Sequence, residues 1–220
     1  MDVVPDTEIC NHALTLIGSG ADDCRRLTNV VTDTGPTARW FRETWDSARR
    51  AAILRHDWSC CIDYLNGEDA GGDVEGVNHE PYDYAYRIPA TFTDTTGTTH
   101  GVLACRGIVD VDDYKTPLKY GGPVNGIIHC DFTVDAFAWK LLLDRVSVWS
   151  PQLRTCLAYE LAIMGATFLI PGDSGMERAN FLHAKYIAPY TMGGILEVAK
   201  AQCVAEQHEE EDEPLWSEIT

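Results

Sequence analysis

Basic side chains are scarce in this sequence. Lysine and arginine together number 17 among 220 residues, against 34 aspartates and glutamates, so the formal net charge is −17. Nonspecific binding to nucleic acid depends on attraction between basic side chains and phosphates. A chain with this charge balance lacks that attraction, and we do not expect it to bind DNA or RNA as a ligand.

Long apolar runs and a leader segment are also missing. The longest strongly apolar run covers residues 161–170 and is interrupted by Gly165 and Thr167, whereas a membrane-spanning helix needs about 20 apolar residues. The chain opens with Met1 and Asp2 and has no cationic stretch followed by an apolar one, as a secretory signal peptide would. We therefore expect a soluble protein that is not exported by the secretory route.

Short motifs for catalysis, metal binding and nucleotide binding are absent or have another explanation. The chain has no glycine-rich phosphate loop, no dinucleotide fingerprint after a strand and no Cys-x-x-Cys pair for zinc. Residues 172–175 (GDSG) resemble the nucleophile segment of chymotrypsin-like serine proteases, but a helix cap at Ser174 with Glu177 completing a capping box explains them better. The sequence predicts no catalytic residues, no metal and no cofactor, and therefore not an enzyme.

Cysteine is plentiful, with eight residues in the chain. The even number would suit disulfides, but without a signal peptide we favour reduced thiols in the cytoplasm. Cys10 and Cys156 fall in apolar helical stripes, and Cys105 and Cys130 fall in strand-like runs. Free cysteine packs in such places as a small hydrophobic residue, so the sequence predicts structural thiols.

Hydrophobic periodicity predicts helices at both ends of the chain. The predicted helical segments are residues 7–17, 34–55, 151–170 and 174–207, the last of them broken at Pro189. Asp6 or Thr7 is expected to cap the first, and Ser150 with Pro151 to begin the third. The face of the third helix predicted to be buried consists of Leu153, Leu157, Leu161, Met164 and Phe168.

The region between these helices has short runs typical of β-strands. The predicted strands are residues 82–88, 102–109, 117–120, 126–132 and 137–143, separated by turn signals at residues 121–123 and 125–126. The predicted fold class is α+β, with a bundle of about four helices, an inserted β-rich subdomain and an extended acidic tail. The predicted boundaries are 1–59 with 149–207 for the bundle, 60–148 for the insertion and 208–220 for the tail.

Several short motifs follow one another along the chain in a characteristic order. They are residues 8–14 (EICNHAL), 56–58 (HDW), 84–89 (YAYRIP) and 149–162, which begins WSP and ends LAYELA. In this order they resemble the tail tubular protein A family, the head-to-tail adaptors of short-tailed bacteriophages. Ala90 departs from the family pattern, which often has an acid after the proline. The eight cysteines and the acidic tail also lie outside that pattern.

The resemblance implies a virion structural protein and supplies its expected partners. A family member would assemble in the host cytoplasm as a ring of twelve subunits in the neck of the virion. The ring would join the portal protein to the tail nozzle protein and form part of the DNA ejection channel, without specific DNA binding and without catalytic residues. Acidic side chains lining such a channel would keep DNA from adhering, although acidity that only maintains solubility explains the charge equally well.

The C-terminal tail combines acidic and apolar residues. Seven acids and no lysine or arginine lie in the last twenty residues, and such a run does not bury itself. The apolar residues near its end are Pro214, Leu215, Trp216 and Ile219. We interpret residues 209–219 as an arm in which these four side chains bind a neighbouring subunit or the portal, the alternative being an idle solvated terminus.

Two other functions remain open on the sequence alone. A small cytosolic hydrolase would need dispersed Asp, His and Ser residues that converge only in the fold, and no local nucleophile motif supports it. A stand-alone binding module would be a monomer with a deep pocket. The absence of any local site motif favours the structural protein.

Overall fold

The computed structural model of the protein describes residues 4–18, 26–66, 84–93, 97–110, 113–118, 121–124, 127–130, 136–143 and 146–211. These residues form five α-helices and eight antiparallel strands, so the protein is α+β, as the sequence predicts. The chain divides into two compact units. One combines Met1–Cys60 with Arg145–Thr220, and the other is Cys61–Asp144.

The first unit contains all five described helices. They are α1 (Thr7–Ile17), α2 (Pro36–Leu54), α3 (Pro151–Leu169), α4 (Asp173–Ile187) and α5 (Ile195–Glu211). Helix α3 packs against each of the other four, and ten of its 19 residues are buried. Apolar side chains therefore occupy most of its circumference, which is the pattern of a helix at the centre of a core.

Side-chain caps begin two of these helices where the sequence predicts them. The Asp6 carboxylate accepts hydrogen bonds from the backbone amides of Glu8 and Ile9 at 2.9 and 3.0 Å. The Ser150 hydroxyl accepts from the Leu153 amide at 3.2 Å, with Pro151 in the first helical position. Helix α2 begins at Pro36, two residues later than predicted.

The capping box predicted at Ser174 and Glu177 is wrong. Helix α4 begins one residue earlier, at Asp173, and its N-cap is Gly172, which makes no side-chain hydrogen bond. Gly172 has φ +74°, a left-handed conformation that glycine adopts without strain. This glycine turns the chain sharply after α3, so Ser174 already lies inside the helix.

The second unit contains the strands. They are β1 (Ile62–Asn66), β2 (Tyr84–Arg87), β3 (Thr91–Thr93), β4 (Thr99–Asp110), β5 (Asp113–Leu118), β6 (Gly121–Val124), β7 (Ile127–Cys130) and β8 (Ala136–Leu142). One sheet has the order β1-β8-β4-β3, with β5 also paired to β4, and the other has the order β2-β7-β6. The Tyr86 ring of the second sheet meets the Phe137 ring of the first edge-on at 5.2 Å, so aromatic side chains form the core of this unit.

The turn predicted at residues 121–123 is wrong, because these residues form strand β6. Strand β6 lies at the edge of its sheet, where glycine and proline are tolerated because one side of the strand needs no ladder hydrogen bonds. Strands β1 and β3 were not predicted. The Asn125-Gly126 turn lies outside the described residues, although Val124 and Ile127 on either side of it are paired.

Within the described part of the chain, no helix has the length and hydropathy needed to cross a membrane.

Candidate interaction surface

Helix α2 separates a buried apolar row from a charged outer face. Ala38, Phe41, Trp45, Ala48 and Ala52 follow one another at helical spacing and form the buried row, since each of these residues is at most 1% exposed. Its outer face carries ion pairs within the helix, Arg39 with Glu43 at 2.9 Å and Arg50 with Asp46 at 2.7 Å. Such exposed pairs contribute little to stability.

Asp46 pairs with two arginines of α2. It also accepts a hydrogen bond at 2.6 Å from Arg49, whose side chain is 2% exposed. Partial burial of Asp46 opposes its ionisation, but hydrogen bonds from Arg50 and Arg49 outweigh that effect and lower the pKa of the carboxyl below 3.8. Asp46 therefore remains ionised well into the acid range and holds both guanidinium groups.

An apolar surface opens where α2 begins and α3 ends. The rings of Trp40 and Phe168 stack with their centroids 5.8 Å apart and 19° between their planes. Phe168 is nevertheless 56% exposed, and Met164, one turn before it, is 37% exposed. We call Trp40, Met164 and Phe168 the aromatic surface; exposed aromatic and methionine side chains of this kind are enriched at protein–protein interfaces.

The prediction that Met164 and Phe168 are buried is wrong. Leu153, Leu157 and Leu161 on the same helical stripe are buried as predicted. Met164 and Phe168 extend this stripe toward the first turns of α2. The Trp40 ring stacks on Phe168, and the remainder of both side chains is exposed to solvent. Sequence periodicity shows which face of a helix is apolar but not where its neighbour stops. The one available signal was the position of Phe168 just before the helix-ending Pro171-Gly172 pair.

Helix α4 exposes further apolar side chains. Met176, Phe181 and Ile187 are 63%, 56% and 49% exposed. Phe181 has the Arg178 guanidinium 5.2 Å from its ring centroid, and Arg178 also donates a hydrogen bond to the Leu16 carbonyl at the end of α1. Part of the Phe181 ring is thus covered by a side chain that is tied to α1, whereas the ring of Phe168 is partly covered by Trp40 of α2.

A partly buried polar cluster lies between α2, α3 and α4. Arg55, the C-cap residue after α2, has a side chain that is 43% exposed, and it forms an ion pair of 2.9 Å with Glu160 of α3, whose side chain is 8% exposed. The hydrogen bond from Arg55 to Glu160 and their opposite charges raise the pKa of the guanidinium. Cys156 and Tyr186 lie beside this pair, and the ring of Tyr186 stacks on that of Tyr159 at 5.7 Å.

The chemistry of this cluster does not suit catalysis. Burial, opposed by a hydrogen bond with Tyr186 and assisted by the nearby Glu160 charge, raises the pKa of the Cys156 thiol to about 12. Burial likewise raises the pKa of Tyr186. Nucleophilic cysteines need the opposite shift and an opening to solvent, and Cys156 is fully buried. The cluster therefore joins three helices and does not resemble a reactive site.

A cavity of about 730 Å³ lies along the outer side of α1. It is lined by Glu8, Asn11, His12, Leu14, Thr15, Gly18 and Arg26. Asn11 already holds the backbone of Leu27, donating to its carbonyl at 3.0 Å and accepting from its amide at 2.7 Å. Burial lowers the pKa of His12. The lining brings together opposite charges and an imidazole. The hydroxyl of Thr15 in this lining donates its hydrogen bond to the Asn11 carbonyl at 2.9 Å and not to His12.

The described residues include no group of three or more His, Cys, Asp or Glu side chains that could hold a metal ion. Cys10 and Cys156, predicted as core thiols, are free and buried, and so is Cys203. Cys203 lies 3.9 Å from the Ser59 hydroxyl, which places the middle of α5 beside the chain that follows α2.

The predicted arm extends past the described residues. Helix α5 continues to Glu211, so the backbone of the first four residues of the predicted tail is helical. Pro214, Leu215, Trp216 and Ile219 lie outside the described residues, and their assignment to partner binding stays a prediction.

No family model matches this chain, and no curated protein matches it in sequence.

Proposed function

We propose that this protein is a head-to-tail adaptor of a short-tailed bacteriophage, a virion structural protein that joins the portal to the tail nozzle. The observation that carries the proposal is the ordered series of motifs that resembles the tail tubular protein A family. The motif at residues 8–14 lies in α1, and the motif at 56–58 follows α2. The motif at 84–89 begins with β2, and that at 149–162 covers the cap and first half of α3. Each motif thus accompanies an element of the fold.

The finer architecture belongs to the same proposal. We propose that the helices form one bundle, that the β-rich unit is inserted between α2 and α3, and that an extended acidic arm follows α5. The division of the chain into a helical unit made of two separate segments and a continuous strand-containing unit supports this arrangement. The ring of twelve subunits comes from the family resemblance alone.

Exposed apolar side chains support a role in assembly. The aromatic surface and the outer face of α4 expose large apolar groups on a chain that is otherwise strongly acidic. An assembling subunit buries such groups against its neighbours. This surface and the absence of a nucleophile–base pair in the polar sites described above both favour the structural protein over a hydrolase.

The mass of the purified protein, alone and with the portal protein of the same phage, tests the proposal. Native mass spectrometry and light scattering should give a closed ring, or a monomer that becomes a ring only on the portal. Electron micrographs of the complex should place the ring beneath the portal. A stable monomer or dimer that does not bind the portal would overturn the proposal.

The proposed channel gives the acidic charge a function that has its own test. Replacing acids on the inner wall of the ring with lysine should slow DNA ejection, because lysines would bind the passing phosphates. The same number of replacements on the outer wall is the matched control. Equal ejection rates for the two sets of variants would show that the acidity serves solubility instead.

A further inference from the structure

Two exposed arginines, Arg26 and Arg39, lie near the start of α2, next to the aromatic surface. Helix α2 contains four arginines and two acids in a chain whose net charge is −17. Arg39, the neighbour of Trp40 in the chain, has a side chain that is 74% exposed. Exposed Arg26 shares with Asp33, Pro36 and Thr37 the lining of a cavity of about 340 Å³. The Asp33 carboxylate accepts hydrogen bonds from the backbone amides of Thr28 and Asn29 at 3.0 and 3.2 Å. The start of α2 has no side-chain cap, so the positive end of the helix dipole adds to this charge.

The C-terminal segment has the complementary chemistry. Glu209, Glu210, Glu211, Asp212 and Glu213 form an unbroken run of acids, and Pro214, Leu215, Trp216 and Ile219 follow within six residues. A ligand of this composition needs a site where an apolar surface adjoins basic side chains. Among the described helices, α2 has the largest excess of basic residues, and the aromatic surface lies at its first turns.

We propose that residues 209–219 dock on the aromatic surface. In this arrangement Leu215 and Trp216 pack against Trp40, Met164 and Phe168, while the acidic run lies opposite Arg26 and Arg39. The inference deepens the arm hypothesis of the proposed function by naming the surface that receives the arm. It requires the arm but not the ring.

The receiving arginine is available for this interaction. Arg39 is paired with Glu43, but both side chains are more than 60% exposed, and such a pair is weak enough to exchange partners. Arg42 by contrast is held by the carbonyls of Val30 and Asp33 at 2.6 and 2.8 Å. We therefore assign recognition of the acidic run to Arg39 and Arg26.

The reach of the arm limits which copies it can bind. Trp216 lies five residues after Glu211, which allows about 17 Å between them when the chain is fully extended. The arm thus docks on a copy whose aromatic surface lies within that distance of the end of α5, whether its own copy or the next one. A mixture of isotopically labelled and unlabelled chains distinguishes the two sources.

Photocrosslinking of the full-length protein tests the docking. p-Benzoylphenylalanine in place of Trp216 has an aromatic shape similar to tryptophan and reacts preferentially with methionine, so illumination should link position 216 to the peptide containing Met164. Phe168→Ser, or Arg26→Glu together with Arg39→Glu, should lower the yield about tenfold, the effect expected when a central contact is lost. Because the charges are exposed, high salt should also lower the yield.

Matched controls use side chains of equal exposure elsewhere. Phe181→Ser removes a phenylalanine that is 56% exposed, as Phe168 is, and Arg50→Glu reverses an arginine that is 50% exposed; both should leave the yield unchanged. Thermal melting establishes that the variants fold.

Crosslinks only to other peptides, no crosslink at all, or an unchanged yield in Phe168→Ser would overturn the docking. If the crosslink is absent but the protein still forms portal-bound rings, the docking is rejected and the adaptor function stands. If the crosslink forms but the protein never binds the portal, the adaptor function is rejected and the docking stands.

Discussion

Helix α3 and strand β8 occupy equivalent places in the two units. Helix α3 packs against all four other helices, and β8 lies between β1 and β4. Both are buried on more than one side: ten residues of α3 are buried, and so is every residue from 137 to 143. A central element in either unit thus loses the one-sided pattern that marks a peripheral element such as α2.

The two central elements differ in how their ends are set. A capping hydroxyl and a proline begin α3 at a fixed residue, whereas β8 has no comparable end signal and takes its length from its partners. Its register with β4 shifts between Val102 and Ala104 and again between Cys105 and Gly107. The ends of a helix are therefore determined by residues close to them in the sequence, whereas the ends of a strand depend on pairing with distant residues.

The largest expected effect tests whether the β-rich unit depends on its central strand. Trp139 of β8 is fully buried and its ring stacks on that of Phe137 at 5.0 Å. Trp139→Ala should lower the free energy of unfolding by about 3–5 kcal/mol, since it removes a large buried ring and leaves a cavity. Urea unfolding followed by circular dichroism measures the loss. Thr93→Ala, on the exposed side of short β3, is the control, and equal effects of the two changes would contradict the central place of β8.

A smaller effect tests how closely α4 approaches the end of α3. A Cβ on Gly175 would overlap the Ile170 carbonyl oxygen and lie 2.8 Å from that of Ala166. Gly175→Ala should therefore force the two helices apart and cost about 1–3 kcal/mol, the usual range for overpacking. Thermal unfolding provides the measurement. Gly35→Ala meets no atom within 4 Å and should change stability much less; a neutral Gly175→Ala would show that the helices separate freely.

The next effect contrasts two serines near helix starts. Ser150→Ala should lower the free energy of unfolding by about 1 kcal/mol because the Leu153 amide loses its partner. Ser174→Ala should be nearly neutral, since Ser174 lies inside α4 and does not cap it. Chemical denaturation of both variants provides the comparison. A larger loss of stability for Ser174→Ala than for Ser150→Ala would contradict the structure and favour the capping box at Ser174 and Glu177.

The sequence determines more of the helical unit than of the β-rich one. Residues 7–17 and the start at Pro151 are correct because Asp6 and Ser150 act on the amides next to them. Strand β6 was missed because its glycines and proline are typical of turns, and only its place at a sheet edge permits them. The exposure of Phe168 was missed because it depends on where the neighbouring helix α2 begins. The sequence of α3, the helix that contains Phe168, does not encode that position. The arm rests on composition alone and stays a prediction, because residues 212–220 lie outside the described residues.

The smallest effect concerns the peripheral helix, where water competes with each ion pair. The pKa of Asp46 is lowered in the folded protein, so the unfolded chain binds the proton more readily. The stabilisation from Asp46 is therefore fully present above pH 3.8 and is lost as the pH falls through the lower, folded-state pKa. Asp46→Asn should cost about 0.5 kcal/mol at neutral pH, discounted because the carboxylate is half exposed. The difference between the two proteins should vanish toward pH 2, because a protonated Asp46 resembles asparagine.

Urea titrations at pH 7, 4 and 2 measure that difference, with Glu43→Gln as the control for a carboxylate that pairs with one exposed arginine. A difference that stays constant with pH would mean that the charge of Asp46 does not stabilise the outer face of α2. The contrast between central and peripheral elements would then depend on packing alone.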